Sequence, residues 1–252
     1  MKRFAFVALG LLSWGALKLP AENALFHARA QRSLLSVPLH LALREQLGQL
    51  GFVAALGGLR AVAADFLFIK AYVAWERTEW SRVLLLFRQV TTLQPHNVMF
   101  WDAAAWQMAW NASAAALNDP RQPRLALRVK AQREYFALGR DFLERGIRNN
   151  PERPELYEAL ARLYREKFKD HLRAAEYFAK AAEKPGAHRY ARRFAAYELS
   201  YSPGHEREAY EELARLYSLG EQERLPTLLS RLKYLEDKLN VPPGLRIPEN
   251  RP

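Results

Sequence analysis

The sequence predicts an all-α chain built from paired amphipathic helices, and three observations carry that expectation. Alanine and leucine dominate while β-branched residues are few, which favours helix over strand. No run alternates apolar and polar residues as a half-buried strand would. Between Pro151 and Pro185, a 34-residue interval, apolar residues fall into two stripes at helical spacing separated by a short break. Leu156, Leu160, Leu163 and Tyr164 form the first stripe, with Ala161 beside them. Ala174, Ala175, Phe178 and Ala181 form the second. Small residues let two helices approach closely, and the aromatics fill the groove between them. One such pair cannot bury both of its faces, so it implies neighbours of the same kind.

Residues 154–185 resemble the tetratricopeptide repeat (TPR), a 34-residue helix–turn–helix unit. Tyr157, Leu160, Ala161, Tyr164, Ala174, Phe178, Ala181 and Pro185 carry the likeness, with one residue inserted in the turn at 169–171. The resemblance implies a TPR-like helical-repeat solenoid of antiparallel helix pairs, a fold whose chemistry is recognition rather than bond-making. Half of the 252 residues are hydrophobic and 12% aromatic, ample for such a core.

Taken in order, residues 1–21 have the layout of a secretory signal or signal-anchor. Lys2 and Arg3 precede an uncharged apolar run, which Lys18, Pro20 and Ala21 end. As a helix, the 14 residues of that run reach about 21 Å, short of the roughly 30 Å of a bilayer core. That favours a cleaved signal, but the cleavage site is weak and an uncleaved anchor stays open. Residues 22–38 form a connector, and 39–56 read as a leucine-rich helix broken by Gly57 and Gly58. Residues 59–75 follow, strongly apolar yet holding Arg60, Asp65 and Lys70. They read as a core helix whose Asp65 is neutralised by Arg60 or Lys70, or as a second membrane segment at a high cost in buried charge.

The solenoid is expected over 39–240. Its first unit, 62–97, fits the repeat pattern at Ala71, Trp80, Phe87 and Pro95. The second, 98–151, opens on the helix 98–117 with Trp101, Trp106 and Trp110. These tryptophans read either as an aromatic platform for a ligand or as packing between repeats. After the break at 118–123, one long helix spans 124–149, with Leu143, Gly146 and Pro151 at repeat positions. The interval from Pro95 to Pro151 is 56 residues, so this unit is enlarged. Units 154–186 and 187–220 follow, the latter degenerate but retaining Ala209. Residues 224–240 cap the open end, as repeat proteins require. The proline-rich stretch 241–252 is expected to be an extended tail.

The sequence holds no nucleotide-binding, nucleophile-elbow or H-E-x-x-H motif. The absence of cysteine excludes disulfides, Cys–Zn sites and thiol catalysis. None of the six histidines has metal-ligand spacing, and Asp170 and His171 read as a solvated turn. No cofactor, metal or catalytic residue is expected. The net charge of +11 admits anionic lipid, an acidic protein or nucleic acid. Basic residues gather between Arg121 and Arg148, including Arg124 and Arg128, and again at Arg189, Arg192 and Arg193. They read as an anion-binding face or as a solvated mixed-charge surface.

The chain as a whole looks like the bacterial membrane-associated TPR proteins with an N-terminal signal or anchor. That likeness rests on its layout and on the succession LGGLRAVAADFLFIKAYVAWE, TTLQP, FWDAAAWQMAWN. It implies a scaffold of the cell envelope, with the bulk of the chain periplasmic and another protein as partner. An anionic membrane surface is a further contact, and export disfavours nucleic acid. Candidate partner-binding residues are Trp101, Trp106, Trp110, Arg124, Arg128 and Tyr135. The alternative is a helical envelope enzyme, or an accessory domain, acting on an envelope polymer. It needs an inward carboxylate pair, for which Asp65, Asp102 and Glu134 are the candidates.

Overall fold

A computed structural model describes residues 58–248. The apolar run, the connector, the helix expected over 39–56 and the last four residues lie outside the described residues. Among the described residues every regular element is helical, and no strand occurs. The chain divides into two compact units at Met108–Ala109.

The described part of the N-terminal unit holds α1 (Arg60–Glu76), α2 (Trp80–Leu93) and α3 (Val98–Trp106). Helix α1 packs on α2, and α2 on α3. Thr78 ends α1 in the left-handed region at φ 56°. Its N–H donates to the Trp75 carbonyl at 2.8 Å, and that of Glu79 to the Ala74 carbonyl at 2.9 Å. This is the paired closure of a Schellman motif, usually built on glycine. Asn97 caps α3, its side chain accepting from the Met99 N–H at 3.1 Å. Ala64, Ala71, Val83, Phe87, Val90, Phe100 and Trp101 make the core. Phe68 meets Phe87 edge-on at 5.8 Å.

The helix expected over 98–117 is not uniformly α. A π-helical turn, Gln107–Ala112, interrupts it before α4 (Ser113–Leu117). In the C-terminal unit α4 packs on α5 (Leu125–Asn149), where Gly139, Leu143 and Gly146 are buried. Helix α5 in turn packs on α6 (Pro154–Leu163). Pro154 suits the first turn of α6, where its missing N–H is not needed.

A second π-helical turn, Tyr164–Phe168, continues α6 before α7 (His171–Ala182). A π-turn accommodates one more residue than the same stretch of α-helix. Lys169 then reverses the chain at φ 56°. Asp170 caps α7, accepting from the Arg173 N–H at 3.0 Å.

Helix α7 packs on both α6 and α8 (Arg189–Ser200), and α8 on α9 (Glu206–Ser218). The repeat positions Ala161, Ala174, Ala181 and Ala209 are fully buried, and Tyr157, Tyr164 and Phe178 nearly so. Pro151 and Pro185 lie exposed between helices, where a proline cannot extend the preceding one. Helix α10 (Pro226–Lys238) lays Leu228, Leu232 and Leu235 against Leu213 and Leu216 of α9.

Residues 241–248 are not an extended tail. They fold back on α10 through the short 3₁₀ turn Pro243–Leu245. The Ile247 N–H donates to Glu236 at 2.7 Å, and Arg246 pairs with Asp237 at 2.7 Å. Glu236 is fully buried, so it takes up the donors that the tail brings.

Candidate functional site

In the C-terminal unit Trp110, from the first π-helical turn, meets the second. Its indole N–H donates to Glu166 at 3.3 Å. Lys167, the next residue, lies over the Trp110 ring at 4.9 Å and over the Phe136 ring at 5.8 Å. Phe168 meets Phe136 edge-on, and Arg140 of α5 stacks over Phe168 at 5.5 Å. A π-turn redirects the side chains that follow it, and such turns recur at functional sites. Here both turns aim side chains at one cluster of cations and rings.

The electrostatics of this cluster depend on partial burial. Desolvation lowers the Lys167 ammonium below the usual lysine range, against the opposing pull of Glu166. Burial alone would raise Glu166. Hydrogen bonds from Arg165 and Trp110, with the charges of Arg165 and Arg162, outweigh it and hold the carboxylate low. Burial raises the Tyr135 phenol, helped by the charge of Glu134.

A polar chain leads from this cluster along α6 to α8. Arg165 donates to Glu166 at 2.9 Å and lies 3.8 Å from Glu198. Glu198 is buried and bonds His171 at 2.7 Å. His171 is therefore a paired, half-buried side chain and not part of a solvated turn. A second buried carboxylate, Glu158, bonds His188 at 2.9 Å and accepts from the Tyr190 hydroxyl. Burial, and then that bond to Glu158, push the Tyr190 phenol up to about 12. Sequence reasoning did not single out Glu158 or Glu198. An ionisable residue amid the apolar stripes of a helix was the one available signal.

The predicted partner-binding residues separate. Trp101 is core: it is 1% exposed, and its indole N–H donates to the Pro95 carbonyl at 2.8 Å. It cannot serve as a contact surface in this conformation, because its polar atom is used internally. Trp106 is 43% exposed, while Trp110 is half-buried within the cluster above. Tyr135 is half-buried on α5. Arg124 is exposed, and Arg128 is half-buried with no hydrogen-bond partner for its Nε. The neighbouring charges mostly pair locally. Arg121 bonds Asp119 at 2.9 Å, Lys130 meets Glu134 at 4.0 Å, and Arg140 meets Glu144 at 3.6 Å. In the other basic group, Arg189 and Arg193 both hold Glu223.

The three carboxylates proposed for an enzyme lie on different helices. Asp65 is exposed on α1, Asp102 on α3 and Glu134 on α5. Asp65 is not a core charge, because it is exposed, and Lys70 stacks over the Phe66 ring at 4.7 Å. Among the described residues no three His, Asp or Glu side chains gather as metal ligands. Nor is any described helix long and apolar enough to cross a membrane. No protein-family model, curated protein or solved structure matches the chain.

Proposed function

We propose that the protein is a non-enzymatic scaffold of the bacterial cell envelope, whose TPR-like helical array holds a partner protein. The observation that carries this reading is a repeated closure 56 residues apart. The Tyr157 hydroxyl donates to the Pro151 carbonyl six residues upstream, as the Trp101 indole does to the Pro95 carbonyl. Both aromatics stand at the same position of the repeat pattern, so two units close in the same way despite the enlarged interval.

The cluster around Trp110, Phe136 and Lys167 is the recognition surface. Aromatic and basic side chains held by neighbours lose little freedom on binding, which makes them effective anchors. In this reading the N-terminal apolar run exports the chain across the inner membrane or anchors it there, with its bulk periplasmic. Mixed charge on α5 suits contact with an anionic surface more weakly, because most of its cations already have acidic neighbours.

Affinity capture from solubilised membranes tests this. The intact protein is compared with a Trp106→Ala/Trp110→Ala variant and with the remote surface variant Arg207→Ala. A partner that co-purifies with the intact protein and with Arg207→Ala should fall roughly tenfold or more with the tryptophan variant. Identical partners from all three would overturn the assignment of the surface.

A further inference from the structure

Helix α1 is apolar on two sides. Ala63, Ala64, Leu67, Ala71 and Ala74 face the core of the N-terminal unit. On the opposite side Val62, Phe66, Ile69 and Val73 fall within about 60° of arc. These four are 64%, 49%, 61% and 42% exposed. A helix that is apolar all round is normally covered all round. The four recur at intervals of 4, 3 and 4 residues, the alternation of a and d positions in a heptad seam. With Phe66 and Val73 at a and Val62 and Ile69 at d, Asp65 falls at g and Lys70 at e. These two charges flank the stripe about 70° to either side. Neither has an ion-pair partner among the described residues, and Lys70 lies over the Phe66 ring at 4.7 Å.

We propose that this face pairs with α1 of a second copy of the chain, as a short parallel two-helix seam. In a parallel pair the g position of one helix stands beside the e position five residues further on in the other. Asp65 of one copy then meets Lys70 of the second copy, five residues further on, and two-fold symmetry makes the reverse pair as well. Both charges that lack a partner within the described residues are thereby matched. An antiparallel pair brings like edges together instead, so the edge carrying Lys70 and Arg77 would face itself. β-branched residues at d suit larger bundles in free coiled coils. Helix α2, however, covers the other side of α1, which leaves one open face and room for one partner helix. The seam ends where α1 ends, since Glu76 takes the next d position in the last turn. A bilayer is the poorer occupant, because Asp65 and Glu76 would be pressed against its apolar interior.

The full-length protein, purified in detergent, should sediment as a dimer at micromolar concentration. The chain has no cysteine, so single substitutions report cleanly. Ile69→Cys should form a disulfide-linked dimer on mild oxidation, at least about tenfold faster than Arg88→Cys, an exposed position on α2. Val73→Cys should do the same, and serves as the test if Ile69→Cys does not fold. Charge exchange identifies the partner. Lys70→Asp sets like charges against each other in both pairs and should weaken the dimer about tenfold, and so should Asp65→Lys. The double variant Asp65→Lys/Lys70→Asp restores opposite charges and should recover most of that loss. A monomer throughout the micromolar range would overturn the proposal. So would equal oxidation of Ile69→Cys and Arg88→Cys, or a double variant that dimerises no better than the single ones. A monomer that loses binding to phosphatidylglycerol vesicles on Phe66→Ser would assign the face to lipid. A monomer whose Ile69→Cys thiol resists maleimide would assign it to another segment of the chain.

Discussion

At the scale of single residues, two aromatics close their units through one polar atom each. Trp101 and Tyr157 fill buried space, and each ties the helix it opens to the end of the previous one. Tyr157→Phe keeps the ring and removes only the donor, so it should lower stability to urea by about 1 kcal/mol. Trp101→Phe also removes ring volume and should cost more, about 2–3 kcal/mol. Tyr190 makes a prediction in pH. Its folded-state pKa is raised to about 12 from an ordinary 10, so the folded protein holds that proton where the unfolded chain has lost it. The stabilisation is complete below pH 10 and is lost as pH rises through 12. Urea midpoints measured at pH 9, 11 and 12 should therefore fall less steeply in Tyr190→Phe than in the unchanged protein. The sequence did not reveal this site. Glu158 and Tyr190 are 32 residues apart, and only the packing of α6 beside the start of α8 brings them together.

At the scale of elements, helix ends and the two π-turns set the geometry. Thr78 adopts a left-handed conformation that a β-branched residue disfavours. Thr78→Gly should relieve that strain at some cost in unfolded-state entropy, for a net gain of about 0.5–1 kcal/mol, read as a higher urea midpoint. Helix existence and pairing were legible in the sequence, because apolar period, prolines and short breaks are local signals. The stripe Leu156, Leu160, Leu163 sits where its spacing placed it. The π-turn that continues α6 was not legible in the sequence, because its place rests on the neighbours that Glu166, Lys167 and Phe168 find in Trp110, Phe136 and Arg140.

At the scale of the molecule, packing within each unit is mainly between helices adjacent in sequence. Stability in such an array accumulates from neighbouring interfaces, so its ends are its weak points. Leu232→Ala empties a fully buried position in the interface of α10 with α9 and should cost about 2–5 kcal/mol. Ending the chain at Gly220 would bare the face of α9 that α10 covers, Leu213 and Leu216 included. That truncated protein should elute as oligomers in size-exclusion chromatography, because a continuous apolar face seeks a cover.

The sequence by itself determined that the described residues are helical, where most of their helices begin and end, and which small and aromatic residues face inward. Those properties follow from periodicity along one helix, and each is decided within a few turns of chain. The tertiary structure decided which tryptophan is core and which is offered outward, that residues 241–248 fold back on α10, and that His171 and His188 meet buried glutamates. It also brought Trp110 against Glu166 of the second π-turn, 56 residues away. The reason is physical: a side chain's surroundings are set by the neighbouring helices, and a local pattern fixes which face is apolar but not which partner covers it.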